Sequence, residues 1–221
     1  MKQRRSSSSR SRRQGKAQGN GSNAGRRDAG RRSAGRLRII GGDFRRRQLP
    51  VLDHPGLRPT PDRVRETLFN WLASATGGAR VLDLFAGTGA LGLEALSRGA
   101  REALFIEQNA PVARALEANI ATLGANGRVI TADAKAFLSD TLDDRLGRAD
   151  GAFDLVFLDP PFRQGLAEAS CRQLVDGGFV AAGAWVYLEV EAELTPSVPA
   201  DWMLHREVRA GDSCGRLYRL L

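Results

Sequence analysis

Between residues 80 and 190 the chain alternates strictly between short apolar runs and stretches of helical periodicity, and this order leaves few folds open. Strand-like runs fall at residues 80–85, 103–106, 129–132, 153–158 and 185–190. Helical patterns lie between them at about 90–97, 111–123, 134–146 and 165–175, with Gly99 and Gly124 where helix C-caps belong. Strands separated by helix-length connections pair in parallel, and right-handed crossovers put helices on both faces. The prediction is a Rossmann-like α/β fold with a mostly parallel, doubly wound sheet. Residues 202–208 and 215–220, joined across Ala210-Gly211-Asp212-Ser213, read as an antiparallel hairpin that finishes the sheet. Ahead of the alternation comes a small β/helix extension. Residues 37–40, the Gly41-Gly42 pair and residues 44–49 read as a hairpin-like β segment, and 53–59 as loop. A helix then begins at Thr60-Pro61-Asp62, with Thr60 as N-cap and Val64, Leu68, Trp71 and Leu72 on its buried face.

Charge divides the chain in two. Residues 1–38 hold 13 of the 33 Lys and Arg and a single acid, Asp28, while the remaining 183 residues carry 20 bases against 24 acids. The net charge of +8 therefore belongs to the N-terminal arm. No large aliphatic residue lies between Met1 and Leu37, so residues 1–36 cannot bury enough apolar surface to offset ordering and are expected to be a disordered basic tail. Two readings stay open for it: a solvated extension, or an arm that holds RNA by salt-sensitive phosphate contacts. Residues 37–221, in a chain that is 42% hydrophobic, suffice for one core and one domain. Cys171 and Cys214 are too few for a disulfide framework, and His54 and His205 have no partner at metal spacing, so no metal site is expected. Neither a bilayer-spanning run nor a secretory leader is visible, which predicts a cytoplasmic protein with no membrane partner, read here as a monomer.

The run Val81-Leu82-Asp83-Leu84-Phe85-Ala86-Gly87-Thr88-Gly89-Ala90-Leu91-Gly92 is a buried strand entering a glycine turn and then a helix. Gly87 and Gly89 let a ligand approach the main chain, flanked by Phe85, Ala86 and Thr88. Glu107 ends the next strand 20 residues after Gly87, as expected of an acid that takes a ribose. These features fit NAD and S-adenosylmethionine alike. Asp83 favours the second, since a carboxylate there suits the ammonium end of a methionine and would repel a pyrophosphate. Asp133-Ala134, after the third strand, could read an adenine edge; Asp133 could equally be a helix N-cap.

The fourth strand ends in Asp159-Pro160-Pro161-Phe162. In an open α/β sheet this places the tetrapeptide over the same crevice as the glycine loop. The prolines fix a rigid turn and remove two N–H donors, leaving two acceptors, the Asp159 carboxylate and the Pro160 carbonyl, beside an aromatic ring. An exocyclic base amine is a poor nucleophile because its lone pair is delocalised into the ring. Two acceptors aimed at its N–H bonds orient that lone pair and drain the developing charge, and Phe162 can stack on the extruded base. With the activated methyl carried by S-adenosylmethionine, neither a metal nor a covalent intermediate is required.

Asp159-Pro160-Pro161-Phe162 resembles the amino-methyltransferase signature of class I S-adenosylmethionine-dependent enzymes. Together with Arg38-Ile39-Ile40-Gly41-Gly42, Gly56-Leu57-Arg58-Pro59-Thr60, the helix from Asp62 to Leu72, the run from Phe85 to Arg98, and Arg163, it is similar to the bacterial small-subunit methyltransferase D family. The resemblance runs from about residue 37 to the C-terminus. It implies methylation of guanine N2 in 16S ribosomal RNA, at guanine 966, in the assembled small ribosomal subunit. By position it implies that Asp83, Gly87, Gly89, Glu107 and Asp133 hold the cofactor and Asp159 to Phe162 the base amine. Arg63 and Arg65 fall where the family's leading helix approaches the methionine carboxylate or the RNA. Arg45, Arg46 and Arg47 are a candidate phosphate-contacting ridge, and a solvated face is the rival reading for all five arginines.

Three other functions compete. An NAD-dependent dehydrogenase would use the glycines and Glu107 but leave Asp83 and the tetrapeptide idle. A DNA adenine N6-methyltransferase would share the tetrapeptide but usually carries DNA-reading segments. A non-catalytic RNA-binding protein would bind RNA tightly with no turnover to lose.

Overall fold

The computed structural model describes residues 35–52, 54, 57, 60–139 and 151–221. Of the expected tail, residues 1–36, the first 34 lie outside them, as do residues 140–146 of the expected third helix, while Gly35 and Arg36 belong to a strand. A two-stranded antiparallel ribbon, β1 (Gly35–Arg38) and β2 (Gln48–Val51), comes first, followed by α1 (Asp62–Trp71). The alternating core is β3 (Arg80–Asp83), α2 (Ala90–Ser97), β4 (Glu102–Glu107), α3 (Ala110–Leu123), β5 (Gly127–Thr131), α4 (Ala134–Phe137), β6 (Phe153–Leu158), α5 (Leu166–Asp176) and β7 (Val180–Glu191). The chain closes with β8 (Trp202–Ala210) and β9 (Ser213–Leu220).

Seven strands form one sheet in the order β5-β4-β3-β6-β7-β9-β8. The first five of that order are mutually parallel; β9 runs antiparallel to both β7 and β8. Helices cover both faces, so the central strands are apolar on both sides. Val81, Phe105, Leu155 and Phe157 face a core shared with α1, α2, α3 and the β1–β2 ribbon. Leu82, Leu104, Val156 and Leu158 face the other, built with α4 and α5. Successive connections leave β3 on one side toward β4 and β5, and return on the other to β6 and β7. The crevice at the carboxyl ends of β3 and β6 is therefore the topological switch point, where such sheets take their ligands.

Two local expectations are corrected. Phe44 to Arg47 form a turn and not a strand; Arg46 sits at φ 69°, and its N–H donates to the Ile39 carbonyl. The N-cap of α1 is Pro61 with no side-chain cap, while Thr60 is buried. The predicted C-cap at Gly124 does adopt the left-handed conformation, at φ 63°.

Candidate active site

The carboxyl ends of β3, β4, β5, β6 and β7 open into a cleft of about 1200 Å³. Asp159, Pro160, Pro161 and Phe162 line it together with Phe85, Glu107, Asp133 and Ala134, so the two candidate motifs share one cavity. Acids dominate its walls: Glu107, Asp133, Asp159, Glu189 and Asp212, against Lys135 as the one Lys or Arg among the described lining residues. Such a wall attracts a cationic ligand and repels a phosphate.

Glu107 braces the glycine loop. Its Oε2 accepts from Gly87 N at 2.9 Å and its Oε1 from Asn109 N at 2.6 Å, so one carboxylate joins the turn after β3 to the start of α3. Asn109 in turn caps α3 by accepting from Val112 N, and its side chain meets His54 Nε2 at 2.9 Å on the cleft wall. Gly87 and Gly89 both take left-handed φ values, 51° and 75°. At Gly89 the left-handed backbone disfavours any side chain, and a Cβ would lie 2.4 Å from a Leu116 methyl that would have to shift. Ala86 and Thr88 are both buried; Gly87 and Thr88 back the loop against Leu57 and Val112 and lie apart from the main cleft.

Asp83 lies beneath the cleft floor. It is 3% exposed, and its Oδ2 accepts from Gly92 N at 3.0 Å, tying β3 to the first turn of α2. Burial pushes its carboxyl up to about 7, opposed by the Gly92 N–H and reinforced by the charge of Glu107. Asp133 lines the cleft and also caps α4, with Oδ1 accepting from Ala136 N at 2.9 Å. The helix-cap reading of Asp133 is therefore realised at a residue that still faces the cavity.

Asp159 follows the last residue of β6. Part of its surface opens into the cleft, yet burial raises its carboxyl well above the ordinary range, with Glu189 and Asp83 adding to the rise. Pro160 is buried, and Phe162 stands 40% exposed, an aromatic face free to meet a ring. The turn beyond it is pinned to β7 because Arg163 N donates to the Glu191 carboxylate.

Glu189 is a further acid of the site that none of the sequence motifs marks. It is 5% exposed and lines the cleft, and the Tyr187 hydroxyl donates to its Oε2 at 3.0 Å. The available signal was an acid inside the apolar run from Val186 to Val190. Arg65 is corrected in the opposite sense. It is 1% exposed and pairs with Asp62 at 2.6 Å and Glu94 at 3.5 Å, so it reaches neither cleft nor solvent. Arg45, Arg46, Arg47 and Arg63 are exposed. Both cysteines are buried free thiols, and burial pushes Cys171 up to about 12. No helix among the described residues is long and apolar enough to cross a membrane.

The family model described as Conserved hypothetical protein 95 matches residues 37–219. Ribosomal RNA small subunit methyltransferase D of Escherichia coli strain K12 is 51% identical over 185 residues, covering 83% of this chain and 89% of that protein. The protein of the same name from Haemophilus influenzae is 41% identical over 186 residues, covering 83% and 93%. Among solved structures, yhhF from Escherichia coli superposes with a TM-score of 0.76 at 49% identity, covering 84% of this chain and 98% of that one. HI0767 from Haemophilus influenzae gives 0.72 at 38% identity, covering 85% and 99%. The family model and these relatives span nearly the whole described fold, and the chain belongs to the ribosomal RNA small subunit methyltransferase D family.

Proposed function

We propose that this protein transfers a methyl group from S-adenosylmethionine to the exocyclic N2 amine of a guanine in 16S ribosomal RNA, acting as a cytosolic monomer on the small ribosomal subunit. The position is guanine 966, as the family resemblance implies. The observation that carries this reading is the junction of two acceptors, the Asp159 carboxylate and the Pro160 carbonyl, with an acid-lined cleft that opens beside the glycine loop.

The donor set fits the cofactor. Glu107, already oriented by two backbone N–H groups, keeps acceptor capacity for the ribose hydroxyls, and Asp133 with the Ala134 N–H reads the adenine edge. Asp83 acts through the floor, its charge favouring the ammonium and sulfonium above it. Phe85 is the cleft-lining residue of the glycine loop, and Ala86, Gly87, Thr88 and Gly89 behind it shape the turn that presents it. A nicotinamide dinucleotide would instead set its pyrophosphate against five acids with one lysine to offset them. When bound, S-adenosylmethionine supplies a methyl activated on sulfonium sulfur.

The rest is done by the chain. Asp159 and the Pro160 carbonyl each accept one N–H of the amine, turning its lone pair toward the methyl. As the methyl leaves sulfur and the N–C bond forms, the amine nitrogen would gain positive charge, and Asp159, whose affinity for a proton is raised by burial, offsets that charge by taking up the proton released. Phe162 stacks on the base and holds it out of the RNA stack. Arg45, Arg46, Arg47 and Arg63 are the exposed cations assigned to the phosphates.

The test is transfer of labelled methyl from S-adenosylmethionine to small subunits taken from cells lacking this protein, followed by mapping of the modified base. N2-methylguanine at a single position is the expected result. Transfer to duplex DNA in preference to small subunits would replace the reading with adenine methylation, and NAD binding without a response to S-adenosylmethionine would end it.

A further inference from the structure

Glu189 is buried, acidic and on the cleft wall, and the chemistry above leaves it without a task. The parallel register pairs Leu158 with Leu188, so Asp159 and Glu189 are the next residues along neighbouring strands and stand side by side at the carboxyl edge of the sheet. Proximity is also evident in the way the charge of Glu189 raises the Asp159 carboxyl. The Tyr187 hydroxyl donates to Glu189 Oε2, and Oε1 has no hydrogen-bond partner among the described residues. The clamp is itself built in. Tyr187 is fully buried, and its ring lies over Gly215, the β9 residue paired with Glu189, where a Cβ would fall 2.1 Å from the tyrosine oxygen. Maintaining two adjacent acids in a half-closed site is costly, and a structural strand end would have no use for it.

We infer that Glu189 is the specificity-determining residue for the base: its free oxygen accepts the N1–H of guanine while Asp159 and Pro160 hold the adjacent N2 amine. This rests on the reading of the site as a guanine N2-methyltransferase. The edge of guanine presents N1–H and N2–H donors side by side, which two neighbouring carboxylates match. Adenine has a lone pair at N1, which Glu189 would meet acceptor against acceptor. A site built around a hydrogen bond rejects the analogue lacking it far more strongly than a pocket that selects by shape.

The orientation of Tyr187 makes a specific test possible. In Glu189→Gln the tyrosine still donates to the side-chain oxygen, which turns the amide NH2 toward the base. The probe is small subunits carrying either guanine or 2,6-diaminopurine at the modified position; the analogue keeps the N2 amine but has an acceptor at N1. The wild-type full chain is expected to prefer guanine by roughly 10²-fold in kcat/KM, as for loss of a well-made base contact. Glu189→Gln should lower that ratio at least 10-fold, by losing guanine and gaining diaminopurine, with affinity for S-adenosylmethionine unchanged. Tyr187→Phe, which touches no base, should lower the ratio severalfold by freeing the carboxylate to turn away, and it carries the test alone if Glu189→Gln does not fold. A ratio unmoved in the folded variants overturns the assignment. Failure of the wild type to methylate the guanine particles overturns instead the parent reading, and this inference with it.

Discussion

At the residue scale, protons and cations compete for the same acids. Asp83 titrates near 7 in the fold because burial opposes its charge, against 3.8 as the ordinary value. Its folded pKa is raised, so the native state binds the extra proton between those two limits. The stability that this contributes is fully present below pH 3.8, is lost as pH rises, and is gone above about 7. Asp83→Asn keeps an acceptor for Gly92 N but no titration. It should therefore remove a downward slope of up to about 1.4 kcal/mol per pH unit from urea-unfolding stability across that window. A parallel pH dependence in wild type and variant would show that Asp83 is not the group responsible. Asp159 matters to turnover and not to binding: Asp159→Ala should leave calorimetric affinity for S-adenosylmethionine nearly intact and reduce methyl transfer by about 10²-fold or more. The tetrapeptide was legible because its chemistry lies in four consecutive residues. Glu189 was not, because its partner Asp159 is 30 positions away and adjacent only through strand register.

At the scale of elements, α2 is the anchor of the N-terminal ribbon. Glu94, wholly buried, accepts from Ile40 N and Gly41 N at 2.8 Å each, pairs with Arg98 at 2.8 Å, and faces Arg65. Gly42 presses so closely on the same helix that a Cβ would lie 1.7 Å from the Ser97 carbonyl oxygen. Glu94→Ala leaves two half-buried N–H groups unpaired and the buried Arg65 guanidinium short of a counter-charge. A loss of about 3–5 kcal/mol is expected in urea unfolding. A loss below 1 kcal/mol would mean that Asp62 alone satisfies Arg65. Helical periodicity made α3 and α5 legible to within a residue or two, since each buries one face, whereas α2, buried on every side, was legible from its glycine turn and from Gly99 beyond its end. The misreading of Arg65 has the converse cause: whether an arginine is surface or interior depends on an acid supplied by another helix, 29 residues further along. The turn at Phe44 to Arg47 was hidden because a β-rich composition does not reveal a left-handed residue such as Arg46.

For the molecule as a whole, the mostly parallel sheet and its antiparallel finish followed from alternation and from the turn at Ala210 to Ser213. The order in which β9 slots between β7 and β8 did not, because strand neighbours are chosen by long-range pairing. The basic arm is a question of charge at this same scale. Removing residues 1–34 takes away a block of positive charge and stops short of β1, so urea unfolding should be unaffected, while the log–log salt slope of binding to small subunits becomes shallower. An unchanged slope would reduce the arm to a solvated extension.

The place of β9 also dictates when the protein becomes competent during synthesis. Strands β3 to β7 leave the ribosome in an order that allows them to pair as they appear, but β7 keeps an open edge until residues 213–220 exist to cover it. Tyr187, and through it Glu189, is seated against Gly215 on that late strand. A nascent chain that already holds its glycine loop and tetrapeptide therefore still has an unfinished site and a sticky border. Chains halted before Ser213 are expected to aggregate rather than to accumulate as partly active enzyme.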